Sequence, residues 1–270
     1  MLTPVEIVQY YAEAGAKKCA APGLKLLLLG ILAGFLIGMG SAVTNTATHS
    51  IESVGVARMV AGLLFPFGLG IVILTGAELF TGNCMIPVSL AEGKAGCFHM
   101  LRNWFWVYFG NFIGAALLAA ACAYSGQLDH SGGYLAVYTM KVAAAKCGLS
   151  FWSGVVLGIL CNLLVCLGVL CSFSAKDTTG RILGAYIPVA FFVICGFEHC
   201  VANMYYIPAA IFASYIPEYA AQAAALGVQS TFTWGEFIVN NLIPVTIGNI
   251  IAGAMVIMLL WAAHWRRGKA

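Results

Sequence analysis

The chain has 270 residues, 61% of them hydrophobic and 9% charged, with a formal net charge of +3. That balance excludes a soluble domain and describes a polytopic membrane protein in a lipid bilayer. So small a positive excess points to no nucleic-acid partner; what matters is where the charges lie.

Taken in chain order, Thr3-Pro4-Val5-Glu6 matches a capping box with proline at the first helical position. Residues 4–19 read as an amphipathic helix lying in the membrane interface, with no cleavable signal peptide. Crossings are expected at residues 24–47, 58–91, 103–125, 151–174, 182–216 and 236–264. Two of these are too long for one straight helix, which needs about 20 apolar residues to cross. The first is interrupted in TGAELFTGNCMIP, residues 75–87, and the second in CGFEHCVANMYYIP, residues 195–208. Each reads as two half-helices meeting at a charged break near mid-membrane.

Superposed, the breaks match Gly76 with Gly196, Glu78 with Glu198 and Asn83 with Asn203, and proline follows each at Pro87 or Pro208. The helix after the first break carries Gly110-Asn111, and the helix after the second carries Gly248-Asn249. A duplicated interrupted helix points to a substrate path between inverted repeats. The repeats expected are residues 24–125 and 151–264 of a single channel domain, preceded by residues 1–22 as a cytoplasmic amphipathic helix. Ionisable groups at membrane depth are costly and mark functional sites.

Six crossings put both termini on one side. Lys17, Lys18, Lys25, Lys94, Arg102, Lys176, Arg181, Arg266, Arg267 and Lys269 share that side, against Arg58, Lys141 and Lys146 opposite. Cytoplasmic loops carry the basic excess, so both termini are expected in the cytoplasm of a cell whose inner or plasma membrane holds the protein. Lys146 is then extracytoplasmic, and residues 125–150 and 217–235 are long enough to cap the outer face. Gly30, Gly34 and Gly38, Gly110 and Gly114, and Gly154 and Gly158 recur every fourth residue, a spacing that lets helix backbones approach closely. Trp104, Trp106, Trp152, Trp234, Trp261 and Trp265 fall at predicted crossing ends, as interfacial belts do. The ten cysteines form no CxxC pair; they read as small packing residues, and no metal or cofactor is expected.

With GAELFTGN, GFEHCVANM, LGILCNLLVC and NLIPVTIGNI in place, the chain resembles the formate/nitrite transporter family from its first helix to its last. The resemblance implies an all-α, aquaporin-like fold of six helices with the second and fifth broken. It also implies a homopentamer with a pore in each protomer, carrying small monovalent weak-acid anions: formate, nitrite, hydrosulfide and, in some members, acetate or lactate. Matched to the family, His199 is the central histidine and Thr81 the threonine of the first break. Lys146 is the extracytoplasmic lysine, with Lys141 a nearby competitor. Phe65, Leu69, Leu79 and Phe192 fall on the apolar constrictions; apart from the resemblance they would be core packing. Asn249 matches a polar partner on the central path, and Asn162 one assigned to the outer vestibule with Lys146. Leu163 replaces a tryptophan found in some members and Cys200 a common serine, departures that bear on the preferred anion and not on the fold.

An unpaired anion pays heavily to enter a narrow apolar slit, whereas the neutral acid does not. The Lys146 ammonium would concentrate anions in an outer vestibule, and desolvation further in raises an anion's own pKa. His199 is the side chain on the path able to donate or relay a proton near neutral pH. Thr81 can donate a hydrogen bond, and Asn249 can orient the imidazole or the threonine. Glu78, Glu198, Asn83 and Asn203 read as support for the broken backbone.

The expected function is therefore a formate channel, with a hydrosulfide or nitrite channel of the same fold as the alternative. NLIPVTIGNI and NMYYIP lean toward formate-type members. An aquaporin-type neutral channel would need paired Asn-Pro-Ala motifs, which are absent. A membrane enzyme using Glu198 and His199 as an acid/base pair would lack a nucleophile, metal cluster or nucleotide motif, and a structural scaffold would not need charges at mid-membrane.

Overall fold

A computed structural model describes residues 1–265; Arg266, Arg267 and Lys269, counted above among the basic residues, lie outside the described residues, as does the Trp265 side chain. The chain opens with α1 (Pro4–Ala20) and α2 (Gly23–Thr48). The second crossing comprises α3 (Val54–Leu64), α4 (Pro66–Thr75), α5 (Phe80–Asn83) and α6 (Pro87–Ala91), followed by α7 (Cys97–Tyr124). The second half has α8 (Tyr134–Cys147), α9 (Phe151–Ser174), α10 (Thr178–Cys195), α11 (Cys200–Ser214) and α12 (Pro217–Ala225). It ends with α13 (Trp234–Glu236), a π-helical stretch over Phe237–Leu242, α14 (Ile243–Leu260) and a π-helical turn at Trp261–Trp265.

Among the described residues, six helices are long and apolar enough to cross a membrane: Gly23–Thr48, Val54–Thr75, Cys97–Tyr124, Phe151–Ser174, Thr178–Cys195 and Trp234–His264. The shorter apolar helices Phe80–Ala91 and Cys200–Ser214 complete the second and fifth crossings after their breaks.

Glycine sets how the crossings pack. α2 lies against α7 and α9 against α14. A Cβ on Gly30 would sit 3.2 Å from the Gly110 Cα, and one on Gly158 would sit 3.3 Å from the Gly248 Cα. The same backbone crossing is thus built twice, once in each repeat.

The N-terminal helix packs on the bundle. Its capping box forms, with Thr3 Oγ1 accepting from the Glu6 amide and Glu6 accepting from the Thr3 amide. One apolar face is covered by protein, with Val8, Tyr11 and Ala12 buried with Met85, Val88, Val256 and Ile257, while Val5 and Tyr10 are exposed. The Tyr11 hydroxyl donates to the Gly82 carbonyl and Ser89 Oγ donates to the Ala12 carbonyl. Because α1 also packs against Trp261–Trp265, both ends of the described chain lie on one face. The Trp104 indole N–H donates to the Asn83 carbonyl at 2.9 Å.

Gly248 gives a direct test of the close crossing. A Cβ there would clash with the Val155 carbonyl oxygen, whereas one on Gly55 meets nothing within 4 Å. Gly248→Ala should cost about 1–3 kcal/mol through overpacking and lower the unfolding midpoint in detergent. Gly55→Ala should leave it near the wild-type value.

Candidate functional site

Each break is a left-handed glycine followed by three residues outside any helix, the last of them extended. Gly76 (φ 68°, ψ 22°) ends α4, and Gly196 (φ 73°, ψ 32°) ends α10. A side chain is strained in that conformation, so glycine is the residue that lets the helix stop there. The chain then runs outside any helix to Leu79 and to His199 before the next half-helix starts.

Non-helical backbone at membrane depth has no water to satisfy it, and the same solution appears twice. The Glu78 amide donates to the Leu29 carbonyl, and the Glu198 amide to the Leu157 carbonyl. Asn111 Nδ2 donates to Gly30 O at 2.8 Å and Glu78 O at 2.9 Å, while its Oδ1 accepts from the Phe80 amide at 2.9 Å. Asn249 does the same, donating to Gly158 O at 2.8 Å and Glu198 O at 3.1 Å and accepting from the Cys200 amide at 3.0 Å. Asn249 thus bonds neither the imidazole nor Thr81. It clamps the backbone on either side of His199 and so fixes where the ring can point.

The two glutamates are the hubs of matching polar clusters. Glu78 accepts from Lys18 Nζ at 2.8 Å and from Asn83 Nδ2 at 2.7 Å, and Asn83 also donates to Asn103. Glu198 accepts from Lys146 Nζ at 2.9 Å and from Asn203 Nδ2 at 2.6 Å, and Asn203 also donates to Asn241. Both ion pairs are largely removed from solvent, with side-chain exposures of 22% and 10% for Lys18 and Glu78 and of 16% and 6% for Lys146 and Glu198. Lys146 also lies 5.2 Å from the Tyr206 ring centroid.

His199 and Thr81 meet where the two half-helices approach. His199 Nε2 lies 3.0 Å from Thr81 Oγ1, and His199 caps α11 with Nδ1 accepting from the Ala202 amide at 3.1 Å. In the neutral ring that arrangement leaves the proton on Nε2, donated to Thr81, and frees the threonine hydroxyl proton to point elsewhere. A cavity of about 810 Å³ reaches this point from the Lys146 side, lined by Lys146, Glu198, Asn203, Phe65, Phe192 and His199 among others. Phe65 and Phe192 meet edge-on at 5.7 Å, and Phe192 stacks on His199 at 5.9 Å. Leu69 and Leu79 are buried but do not line that cavity.

Asn162, expected in the outer vestibule, lies elsewhere. It is fully buried midway along α9 and does not line the cavity. Its Nδ2 donates to Thr81 O at 3.1 Å and Asn249 O at 2.6 Å. It therefore ties the threonine break to the sixth crossing, because position 162 is one turn past the Gly158 crossing point.

Four residues of the site went unnoticed in the sequence. Lys18 counted only as a basic residue on the terminal side, and Asn111 only as part of a repeated pair. Asn103 and Asn241 were not singled out. The signal was spacing: each of the last two stands seven residues before a Gly-Asn pair, and Lys18 stands twelve before Gly30 as Lys146 does before Gly158.

Six crossings, two broken at matching polar clusters, with a vestibule ending on an apolar pair and a buried histidine, define a membrane channel with an inverted repeat. The formate/nitrite transporter profile matches residues 5–263. The chain belongs to the formate/nitrite transporter family, a family of channels and transporters rather than enzymes. It is 37% identical to the formate channel FocA of Escherichia coli strain K12, over 98% of this chain and 95% of that one. It is 39% identical to the uncharacterized transporter YrhG of Bacillus subtilis, over 96% and 91%. A pentameric formate channel solved with formate bound superposes with a TM-score of 0.80 at 36% identity, covering 90% of this chain and 97% of that one.

Removing one partner of a buried ion pair strands the other at a cost of about 3–5 kcal/mol. Lys146→Ala and Lys18→Ala should each lower the unfolding midpoint in detergent by that order. Pairing Lys146→Met with Glu198→Gln should recover most of the loss, because no buried charge is then left alone.

Proposed function

We propose that the protein is a channel for small monovalent weak-acid anions, formate first among them, that passes its substrate with the help of a proton at His199. It works as a homopentamer in the cell membrane, with a pore in each protomer and both termini cytoplasmic. The observation that carries this reading is the hydrogen bond between Thr81 and His199, a residue that lines one cavity together with Lys146, Phe65 and Phe192.

The chemistry follows from those neighbours. An anion drawn toward Lys146 sheds water as it nears the phenylalanine pair, and a bare charge there is costly. Beyond the pair it meets the Thr81 hydroxyl, which can donate to it. Protonating His199 gives up the Ala202 bond at Nδ1, a loss that an anion seated beside the ring offsets. Proton uptake and anion arrival therefore go together, and the substrate leaves as the neutral acid. Lys18, paired with Glu78 as Lys146 is with Glu198, serves the opposite face. Kinship with formate channels of Escherichia coli and Haemophilus influenzae supports formate as substrate, and the pentameric formate channel supports the assembly. The basic residues Lys17, Lys18, Lys25 and Lys94 on the side of the N-terminus support the orientation.

The test is flux of formate, nitrite, hydrosulfide and chloride into liposomes across a pH series, with His199→Asn alongside. Asparagine also caps helices well, so α11 should persist in the variant. Weak-acid flux should rise as pH falls, chloride should be excluded, and the variant should lose the pH response. Chloride flux equal to formate flux, with no effect of the substitution, would leave a simple anion pore. Faster flux of nitrite or hydrosulfide than of formate would reassign the substrate within the same mechanism.

A further inference from the structure

Arg58 and Lys141 line the same vestibule as Lys146 but take no part in the clusters described above. Lys146 is committed to Glu198 at 2.9 Å. Among the described residues, neither Arg58 nor Lys141 forms an ion pair, although Glu52 also lines the cavity. Arg58, Ala61 and Phe65 all face the vestibule at helical spacing. The arginine therefore stands two turns, about 10 Å, before the phenylalanine waist.

Its guanidinium lies over the left-handed turn of the second break. A Cβ on Gly196 would be 2.9 Å from Arg58 Nη1. No hydrogen bond to the α10 carbonyls accompanies that approach, so the donors are not spent on capping the helix. The repeat exposes an asymmetry here. The 120-residue offset that carries Gly76 onto Gly196 carries Arg58 onto Thr178, and a Cβ on Gly76 would meet nothing within 4 Å. One break is covered by a guanidinium and the other is bare.

A guanidinium presents parallel N–H donors that match two oxygens in a plane, and a single-centre anion cannot use that fork. From this geometry we infer that Arg58, aided by Lys141, forms an anion-capture subsite at the mouth of the Lys146 vestibule. The subsite favours planar two-oxygen anions, formate and nitrite, over hydrosulfide, and it makes the two faces of the channel unequal. This inference rests on the anion-channel reading above and adds a selecting residue and a sidedness to it.

The experiment is half-saturation of formate, nitrite and hydrosulfide uptake into phosphatidylcholine liposomes, with the protein inserted so that one face or the other is outward, using wild type, Arg58→Gln, Arg58→Lys and Lys141→Gln. From the Lys146 face, Arg58→Gln should raise half-saturation for formate and nitrite about tenfold and for hydrosulfide less than about threefold, consistent with loss of a bidentate contact. From the Lys18 face the shift should stay below about twofold, and high salt should shrink the effect. Arg58→Lys should recover less than half of the loss, and Lys141→Gln should give a smaller shift of the same sign. Equal shifts at both faces, a hydrosulfide shift as large as that for formate, or no shift in any variant would overturn the inference. A shift that appears only when anionic lipid is added would assign Arg58 to a headgroup and overturn it too. A wild-type protein that takes up none of the three substrates would instead overturn the channel reading itself.

Discussion

A transmembrane helix that stops inside the hydrocarbon strands amides and carbonyls where no water can reach them, and the rest of this molecule is arranged around meeting that demand twice. Glycine ends the helix, and an asparagine from the following crossing then holds the loose strand by both of its edges. Asn111 joins Gly30, Glu78 and Phe80, and Asn249 joins Gly158, Glu198 and Cys200. The glycine pairs that bring α2 to α7 and α9 to α14 serve the same end, because the clamp reaches its carbonyls only if the backbones nearly touch.

The glutamates and lysines extend that logic from backbone to charge. A carboxylate at such depth is tolerable when its lone pairs are filled and its charge is balanced, and each glutamate receives an asparagine amide and an ammonium. The support is nearly symmetric, but the residues proposed for the path are not. Under the offset that carries one break onto the other, His199 corresponds to Leu79, Thr81 to Val201, Phe65 to Ala185 and Phe192 to Val72. Duplication accounts for the frame, and the proposed chemistry sits where the two copies differ.

That division also explains what could be read from the chain alone. The breaks were legible because glycine, glutamate, asparagine and proline recur at one spacing inside apolar runs that are otherwise too long. The crossings were legible from hydropathy, their ends differing by a few residues from the helices observed. Lys18 was hidden because a lysine near a terminus reads equally well as a solvated charge, and only α1 folding back beneath the bundle brings it to Glu78. The same fold-back packs one face of α1 on the bundle, because its amphipathic pattern records an apolar partner without saying whether lipid or protein supplies it. Asn162 was placed in the vestibule by kinship, yet its position along α9 puts it beside Thr81, a consequence of where the α9–α14 crossing falls.

The pairing of each lysine bears on how such a channel could turn over. A bare ammonium in a recess of low dielectric would hold an anion tightly, and conduction needs a site favourable enough to enter yet weak enough to leave. Glu198 tempers Lys146 in that way, and Glu78 tempers Lys18. The net field of each cluster is small, while the ammonium still presents donors to an approaching oxygen. The carboxylates that hold the broken backbone in place thereby also keep the lysines from becoming traps. Losing a glutamate would then tighten anion binding at the same time as it loosened the break, two effects with a single structural origin.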